Sequence, residues 1–187
     1  MEPRHLLDAL IVAEKLKDTT RHCYTTNGRH ESVAEHSWMT SLMAFFMQDE
    51  FPEADMNKVI KMCIIHDLGE AFTGDIPTFE KTKDDEKREE DLLNNWIKSL
   101  PENYAREMSQ LYLEMSELKT IESNIFKAID KLEALIQHNM SDISTWIPQE
   151  YELNKTYAFQ QVAFSDYMTK LRQEILADTL KKIEENK

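Results

Sequence analysis

Apolar residues recur at three- and four-residue intervals along almost the whole chain, the spacing of amphipathic helices. Leu6, Leu7, Leu10, Ile11 and Ala13 predict a first helix over roughly residues 4–17. The polar stretch 18–31, with its Asn27-Gly28 pair, reads as a loop. Ser32-Val-Ala-Glu35 then has the form of a capping box, in which Ser32 accepts from the Glu35 N–H and Glu35 reaches back. A second helix over about 33–49 follows, with Met39, Leu42, Met43 and Phe46 on one stripe. Val59, Ile60, Cys63 and Ile64 predict a helix near 56–67, and Gly69, Gly74 and Pro77 punctuate an irregular segment after it. Ten of the eleven residues in 81–91 are charged, with both signs, as in a solvated helix face or loop. Further helices are expected over about 85–99, 103–117, 121–140 and 157–184, with Trp146 and Pro148 in the last long connection. With no internal repeat and no linker-like shift, the expectation is one all-α domain spanning 1–187.

Composition narrows the options. Three glycines in 187 residues disfavour turn-dense β-sandwiches and glycine-rich dinucleotide folds. A net charge of −13 argues against a nucleic-acid polymer or an anionic membrane as partner, because either needs a positive face. The longest apolar run, residues 42–47, is far short of the ~20 needed to cross a bilayer. No signal-peptide core is visible, and Cys23 and Cys63 have no finger or redox spacing, so a cytoplasmic chain with reduced thiols is expected.

Several residues are candidates for chemistry. Gly69 and Gly74 have the gap of a phosphate-binding loop, but Asp75-Ile76 stands where Lys-Ser/Thr belongs, which removes the needed charge. His66-Asp67 lies at the end of an apolar helix. The two side chains point ~100° apart on a regular helix and converge only if the helix ends there, an ending that Gly69 could permit. His36 falls in the first turn behind the capping box. Asp130 borders the stripe of Phe126, Ile129, Leu132 and Ile136, where it either pairs with Lys127 or Lys131 or coordinates an ion.

Taken together, His36, His66-Asp67 and Asp130 resemble the metal site of the HD-domain phosphohydrolases. The surrounding wording, Arg29-His-Glu-Ser-Val-Ala-Glu-His36, His66-Asp-Leu-Gly-Glu70-Ala-Phe-Thr-Gly-Asp75-Ile-Pro77 and Asp130-Lys-Leu-Glu-Ala134, is similar to the 5′-deoxynucleotidase branch, from about Leu6 to His138. The resemblance implies a single helical HD-domain bundle. It also implies an enzyme that removes phosphate from small 5′-(deoxy)nucleoside monophosphates, and a homodimer. His36, His66, Asp67 and Asp130 would hold one divalent ion. Their mixed N/O set suits Mn, Co, Fe, Ni, Zn or Mg rather than a soft metal. Such an ion lowers the pKa of bound water and polarises the phosphorus centre.

By the same resemblance Glu70 and Asp75 are the acid/base pair, and Arg21 clamps phosphate with a forked, permanently charged donor. Arg29 is a second cation near that loop, and a partner for Glu31 or Glu35 is its bland reading. Tyr24 is a candidate to stack a base or sugar, or an ordinary packed tyrosine. The chain has His22 where related bacterial enzymes carry a tryptophan that crowds the sugar, which puts the exclusion of ribonucleotides in doubt. No histidine lies between Asp67 and Asp130, so a mononuclear centre is expected. His138 is read as packing or surface. The C-terminal apolar residues Phe159, Val162, Phe164, Tyr167 and Leu171 suit either a dimer interface or closure of the core. The alternatives are a hydrolase of another phosphate monoester or diester on the same fold, and a non-catalytic helical regulator that binds a basic partner.

Overall fold

The computed structural model describes residues 1–77 and 80–186; the remaining positions of the expected 1–187 domain lie outside the described residues. Helices dominate. In chain order they are α1 (Pro3–Glu14), α2 (Val33–Phe46), α3 (Met56–Ile65), the single turn α4 (Glu70–Thr73), α5 (Lys83–Ser99), α6 (Glu102–Glu117), α7 (Ile121–Met140), α8 (Pro148–Thr156), α9 (Phe159–Val162) and α10 (Asp166–Glu185). The all-α expectation holds, with one addition. The polar stretch read as a loop is a small antiparallel hairpin, β1 (Thr20–Tyr24) and β2 (His30–Ser32), turned at Gly28, whose φ of +78° favours glycine.

The capping box forms as expected. Ser32 Oγ accepts from the Glu35 N–H at 3.3 Å, and the Ser32 N–H donates to Glu35 Oε2 at 2.9 Å. Helix α7 forms within its expected bounds. It is the central helix of the main core, where Ile125, Ile129 and Leu132 meet Val59, Met62 and Cys63 of α3 and Met168 and Ile175 of α10. A smaller cluster joins Leu16, Val33, Leu68, Leu93 and Ile97.

Two expectations fail. The helix over 157–184 is broken: Ala158 takes a left-handed φ of +69° and Ser165 starts a new cap, so α9 and α10 replace it. Pro148 does not sit in a connection but at the first position of α8, where its missing N–H costs nothing. The expected stripe on α2 is only partly inward, with Met43 packed on the core and Met39 and Leu42 half-buried. The helix's buried residues are Val33, His36, Ser37, Thr40 and Ala44, while Phe46 is 73% exposed and Trp38 61%. The C-terminal apolar residues divide. Val162 is buried, and Tyr167 and Leu171 pack on the core, whereas Phe164 remains partly exposed against Phe51.

Candidate metal centre

Three helices bring the two histidines and two aspartates together. The cap of α2 fixes His36 in the first turn, with its ring fully buried. Helix α3 ends at Ile65, where the Tyr112 hydroxyl donates to the carbonyl; His66 caps it with helical backbone angles and an N–H bond to Met62, and Asp67 follows into the turns. Gly69 is not what permits this ending: its φ of −59° is ordinary, and its need is steric, because a Cβ there would meet Glu89 Cγ at 2.7 Å. Asp130 comes from the middle of α7.

The donor atoms converge. His66 Nε2 lies 3.2 Å from His36 Nε2 and 3.0 Å from Asp67 Oδ2. His36 Nε2 is 3.7 Å from Asp67 Oδ2 and 3.5 Å from Asp130 Oδ1, and His66 Nε2 is 3.9 Å from Asp130 Oδ1. With metal–ligand bonds of about 2.1 Å, neighbouring donors stand about 3.0 Å apart in an octahedral shell and about 3.4 Å apart in a tetrahedral one. His36, His66 and Asp67 form the tight set, with one donor each within 4.8 Å of the others, and Asp130 stands beside it, its contact to His66 wider than either edge.

Both rings are oriented from behind. His66 Nδ1–H donates to the Cys63 carbonyl at 2.9 Å, and His36 Nδ1–H donates to Glu133. Each ring therefore turns its Nε2 lone pair inward, the arrangement that outer partners impose on metal-ligating imidazoles. Two lone pairs at 3.2 Å repel unless a positive charge lies between them. Without a metal, burial and Arg21 push the His36 imidazole down, but Glu133 and Asp130 outweigh them and raise it to about 9. The set therefore favours a cation.

Asp130 resolves the choice left open by its sequence, because its two oxygens divide the work. Oδ1 faces the imidazoles, while Oδ2 accepts from Lys127 at 3.1 Å and pairs with Lys131 at 3.2 Å. Despite burial, these lysines and the histidines hold its carboxyl well below the usual range.

A cavity of about 540 Å³ opens over the cluster, within the usual size for small-molecule sites. Arg21, Glu70, Asp75, Lys81 and Lys131 line it together with the four candidate ligands. Glu70 is 7% exposed, and its Oε2 is buried with no hydrogen-bond partner. Burial first, then Asp67, Asp75 and Glu89, push its carboxyl up to about 10. Burial also raises Asp75, against the pull of Arg21. Arg21 donates to Glu31 at 2.7 Å and to Glu133 at 3.2 Å, so part of its fork is committed behind the site.

The other two candidates sit elsewhere. Arg29 is exposed and donates to Glu35 Oε2 at 2.8 Å, and Tyr24 stacks on His30 with centroids 4.1 Å apart. Neither lines the cavity. Sequence reasoning missed Glu133, which is 1% exposed and ties His36 to Arg21. Its signal was present: Glu133 lies three residues after Asp130 on the same helical face. It also missed Lys81, which lines the cavity and pairs with Glu89 at 2.7 Å, inside a charge run read as solvated surface.

Known proteins resemble this chain in sequence and in fold. A bovine protein named 5′-deoxynucleotidase HDDC2 is 28% identical over 138 residues, which cover 72% of this chain and 66% of that protein. The chain thus spans just under two-thirds of that relative's length. A predicted metal-dependent phosphohydrolase from Magnetospirillum magnetotacticum superposes with a TM-score of 0.83 at 24% identity, covering 96% of this chain and 93% of the other. A cyanophage S-2L HD phosphohydrolase bound to dA and one catalytic Zn²⁺ ion shares the fold at a TM-score of 0.56 and 17% identity, covering 94% of this chain and 96% of the other. The HD domain profile matches residues 13–172, and the chain belongs to the HD-domain family.

Proposed function

We propose that the protein is a divalent-metal-dependent phosphohydrolase that removes phosphate from 5′-(deoxy)nucleoside monophosphates. The observation that carries this reading is the pair of inward-facing imidazole Nε2 atoms, 3.2 Å apart and flanked by Asp67 and Asp130. The names of relatives such as bovine HDDC2 support the nucleotide class.

His36, His66, Asp67 and Asp130 would hold one divalent ion, whose Lewis acidity activates water and stabilises charge on the phosphate. Arg21 supplies a fixed positive charge at the cavity wall, and Lys131 a second; both hold phosphate oxygens there. Glu70 and Asp75 differ in environment, and such differences separate acid from base. Buried Glu70 retains its proton through neutral pH and gives it to the departing alkoxide, while Asp75 accepts the proton of the attacking water. Tyr24 and Arg29 take no part in this reading, given their places outside the cavity.

The reading includes a homodimer in the cytoplasm, with one HD domain per protomer. Among the described residues, no helix is long and apolar enough to cross a membrane. The outer side of α2, with Trp38, Phe45 and Phe46 exposed, offers an apolar face for a second copy.

The test is phosphate release from deoxy- and ribonucleoside monophosphates by chelator-treated protein resupplied with single divalent ions. Turnover of the deoxynucleotides is expected, with a fall of about 10³-fold or more in an Asp67→Ala variant that also loses bound metal. Turnover of other phosphate esters alone would move the substrate class. Absence of turnover with every ion would leave a helical regulator.

A further inference from the structure

The C-terminal end of α7 carries a second group of donors that the proposed reaction does not use. His22 and Cys23 come from β1, His138 from α7 and Glu150 from α8. Cys23 Sγ lies 3.4 Å from His138 Nε2 and 3.9 Å from His22 Nε2. Glu150 Oε1 lies 3.2 Å from His138 Nε2 and 3.5 Å from His22 Nε2. Cys23, His138 and Glu150 are all buried.

Outer contacts orient these donors as they do at the first centre. His138 Nδ1 is 3.2 Å from Asn154 Oδ1, an amide oxygen that only accepts, so Nδ1 carries the proton and Nε2 turns its lone pair toward the sulfur and the carboxylate. Glu150 Oε2 accepts from the Ile147 N–H at 2.8 Å, which leaves Oε1 aimed at the two imidazoles. The distances have a scale to be judged against. Zinc bonds of about 2.3 Å to sulfur and 2.0 Å to nitrogen or oxygen put tetrahedral S···N edges at about 3.5 Å and N···O edges at about 3.3 Å. The observed S···N pairs at 3.4 and 3.9 Å and N···O pairs at 3.2 and 3.5 Å lie within a few tenths of an ångström of those edges.

We propose that His22, Cys23 and His138, with the Glu150 carboxylate beside the two imidazoles, form a second divalent-metal site, suited to zinc, that fastens β1 to α7 and α8. Two imidazoles, a thiolate and a carboxylate match a borderline ion rather than Mg or Ca. Asp130 and His138 are eight residues apart on one helix, about 12 Å along its axis, so the two ions are separate. Its consequence for the reaction is positional, because Arg21 precedes His22 on the fastened strand.

Burial holds the Cys23 thiol up at about 12, and burial followed by Arg21 holds His22 down at about 4. Burial likewise lowers His138 to about 4, so both imidazoles are neutral and ready to ligate. Only the thiol must change: the metal–sulfur bond replaces the S–H bond, and the proton leaves to solvent.

The probe is Co²⁺ titrated into the full chain after chelator treatment. Two equivalents are expected, with a thiolate-to-cobalt charge-transfer band in the near ultraviolet that the thiol-free His36 centre cannot produce. An Asp67→Ala variant should bind one equivalent and keep the band; Cys23→Ser should bind one and lose it; Cys63→Ser should change neither. The chain has only two cysteines, so the band together with Cys63→Ser assigns the thiolate even if Cys23→Ser fails to fold. A saturated wild-type protein without the band, or a band that survives Cys23→Ser, overturns the proposal. Failure of the phosphatase reading leaves this outcome untouched.

Discussion

Helices α2 and α7 both supply the candidate centre, yet they distribute their apolar residues in opposite ways. Helix α7 buries its functional and its apolar residues on adjoining faces: Asp130 and Glu133 are buried, and so are Ile125, Phe126, Ile129 and Leu132. Helix α2 turns His36, Ser37 and Thr40 inward and leaves Trp38, Phe45 and Phe46 in solvent. An apolar stripe therefore marks the core side of a helix only where the core side is not also the site. On α2 the buried face is Val33, His36, Ser37, Thr40 and Ala44, mostly small or polar, and of the expected stripe Met43 packs on the core while Phe46 is exposed.

The sharpest way to break the comparison is to remove the residue through which α7 supports α2. Glu133 accepts from His36 and Arg21 while almost wholly buried, so Glu133→Ala leaves the His36 Nδ1–H without its acceptor and Arg21 with Glu31 alone. Breaking a buried pair costs about 3–5 kcal/mol, and urea denaturation should show a loss of that size. A drop below ~1 kcal/mol would mean that His36 is held by other contacts.

A matched pair of truncations tests the two faces directly. Phe126 is 3% exposed on α7 and packs its ring against His66 with centroids 5.5 Å apart; Phe46 is 73% exposed on α2. Phe126→Ala should cost about 3–5 kcal/mol, and Phe46→Ala should stay within about 0.5 kcal/mol in protomer stability. Phe46→Glu should keep the fold yet lower the mass seen by light scattering, if the outer face of α2 pairs two copies. An unchanged mass would remove that face from the interface.

The same contrast explains what the sequence made legible. The bounds of α7, the capping box of α2 and the break after α3 all followed from local signals: period, cap chemistry and helix punctuation. The four candidate ligands followed from motif wording, and each aspartate lies 3.0–3.9 Å from both imidazole Nε2 atoms. What stayed hidden is non-local. Glu133 reaches His36 across 97 positions, and Cys23 reaches His138 across 115. No window along the chain contains either pair. The hairpin of β1 and β2 was missed because its strands are short and carry little apolar alternation, and the break at Ala158 because nothing local demands a left-handed alanine.

A smaller effect probes the caps. Helix α2 opens on Ser32 and Glu35, helix α7 on Thr120 and Ser123. Ser32→Ala removes the acceptor of the Glu35 N–H and should cost about 1 kcal/mol. Hydrogen exchange should show the loss in the first turn of α2, with α7 unchanged. Protection lost equally from both helices would mean that α2 and α7 open as one unit.

The smallest effect separates the two caps by charge. The α2 box contains a carboxylate that titrates, whereas the α7 box is made of two hydroxyls. The hydrogen bond from Arg29 is the main cause that lowers Glu35 to about 2, with the Ser32 N–H adding to it. A depressed carboxyl contributes stability above its unfolded pKa of about 4.3 and loses it as pH falls through the folded value. The α2 start should thus weaken between roughly pH 4.5 and pH 2, by less than ~1 kcal/mol because the pair is open to solvent. Glu35→Gln keeps a box-forming side chain but no charge, so its stability curve should lie below wild type at neutral pH and meet it near pH 2. Curves that stay parallel over that range would show that the Glu35 charge, and with it Arg29, contributes nothing to holding His36 in place.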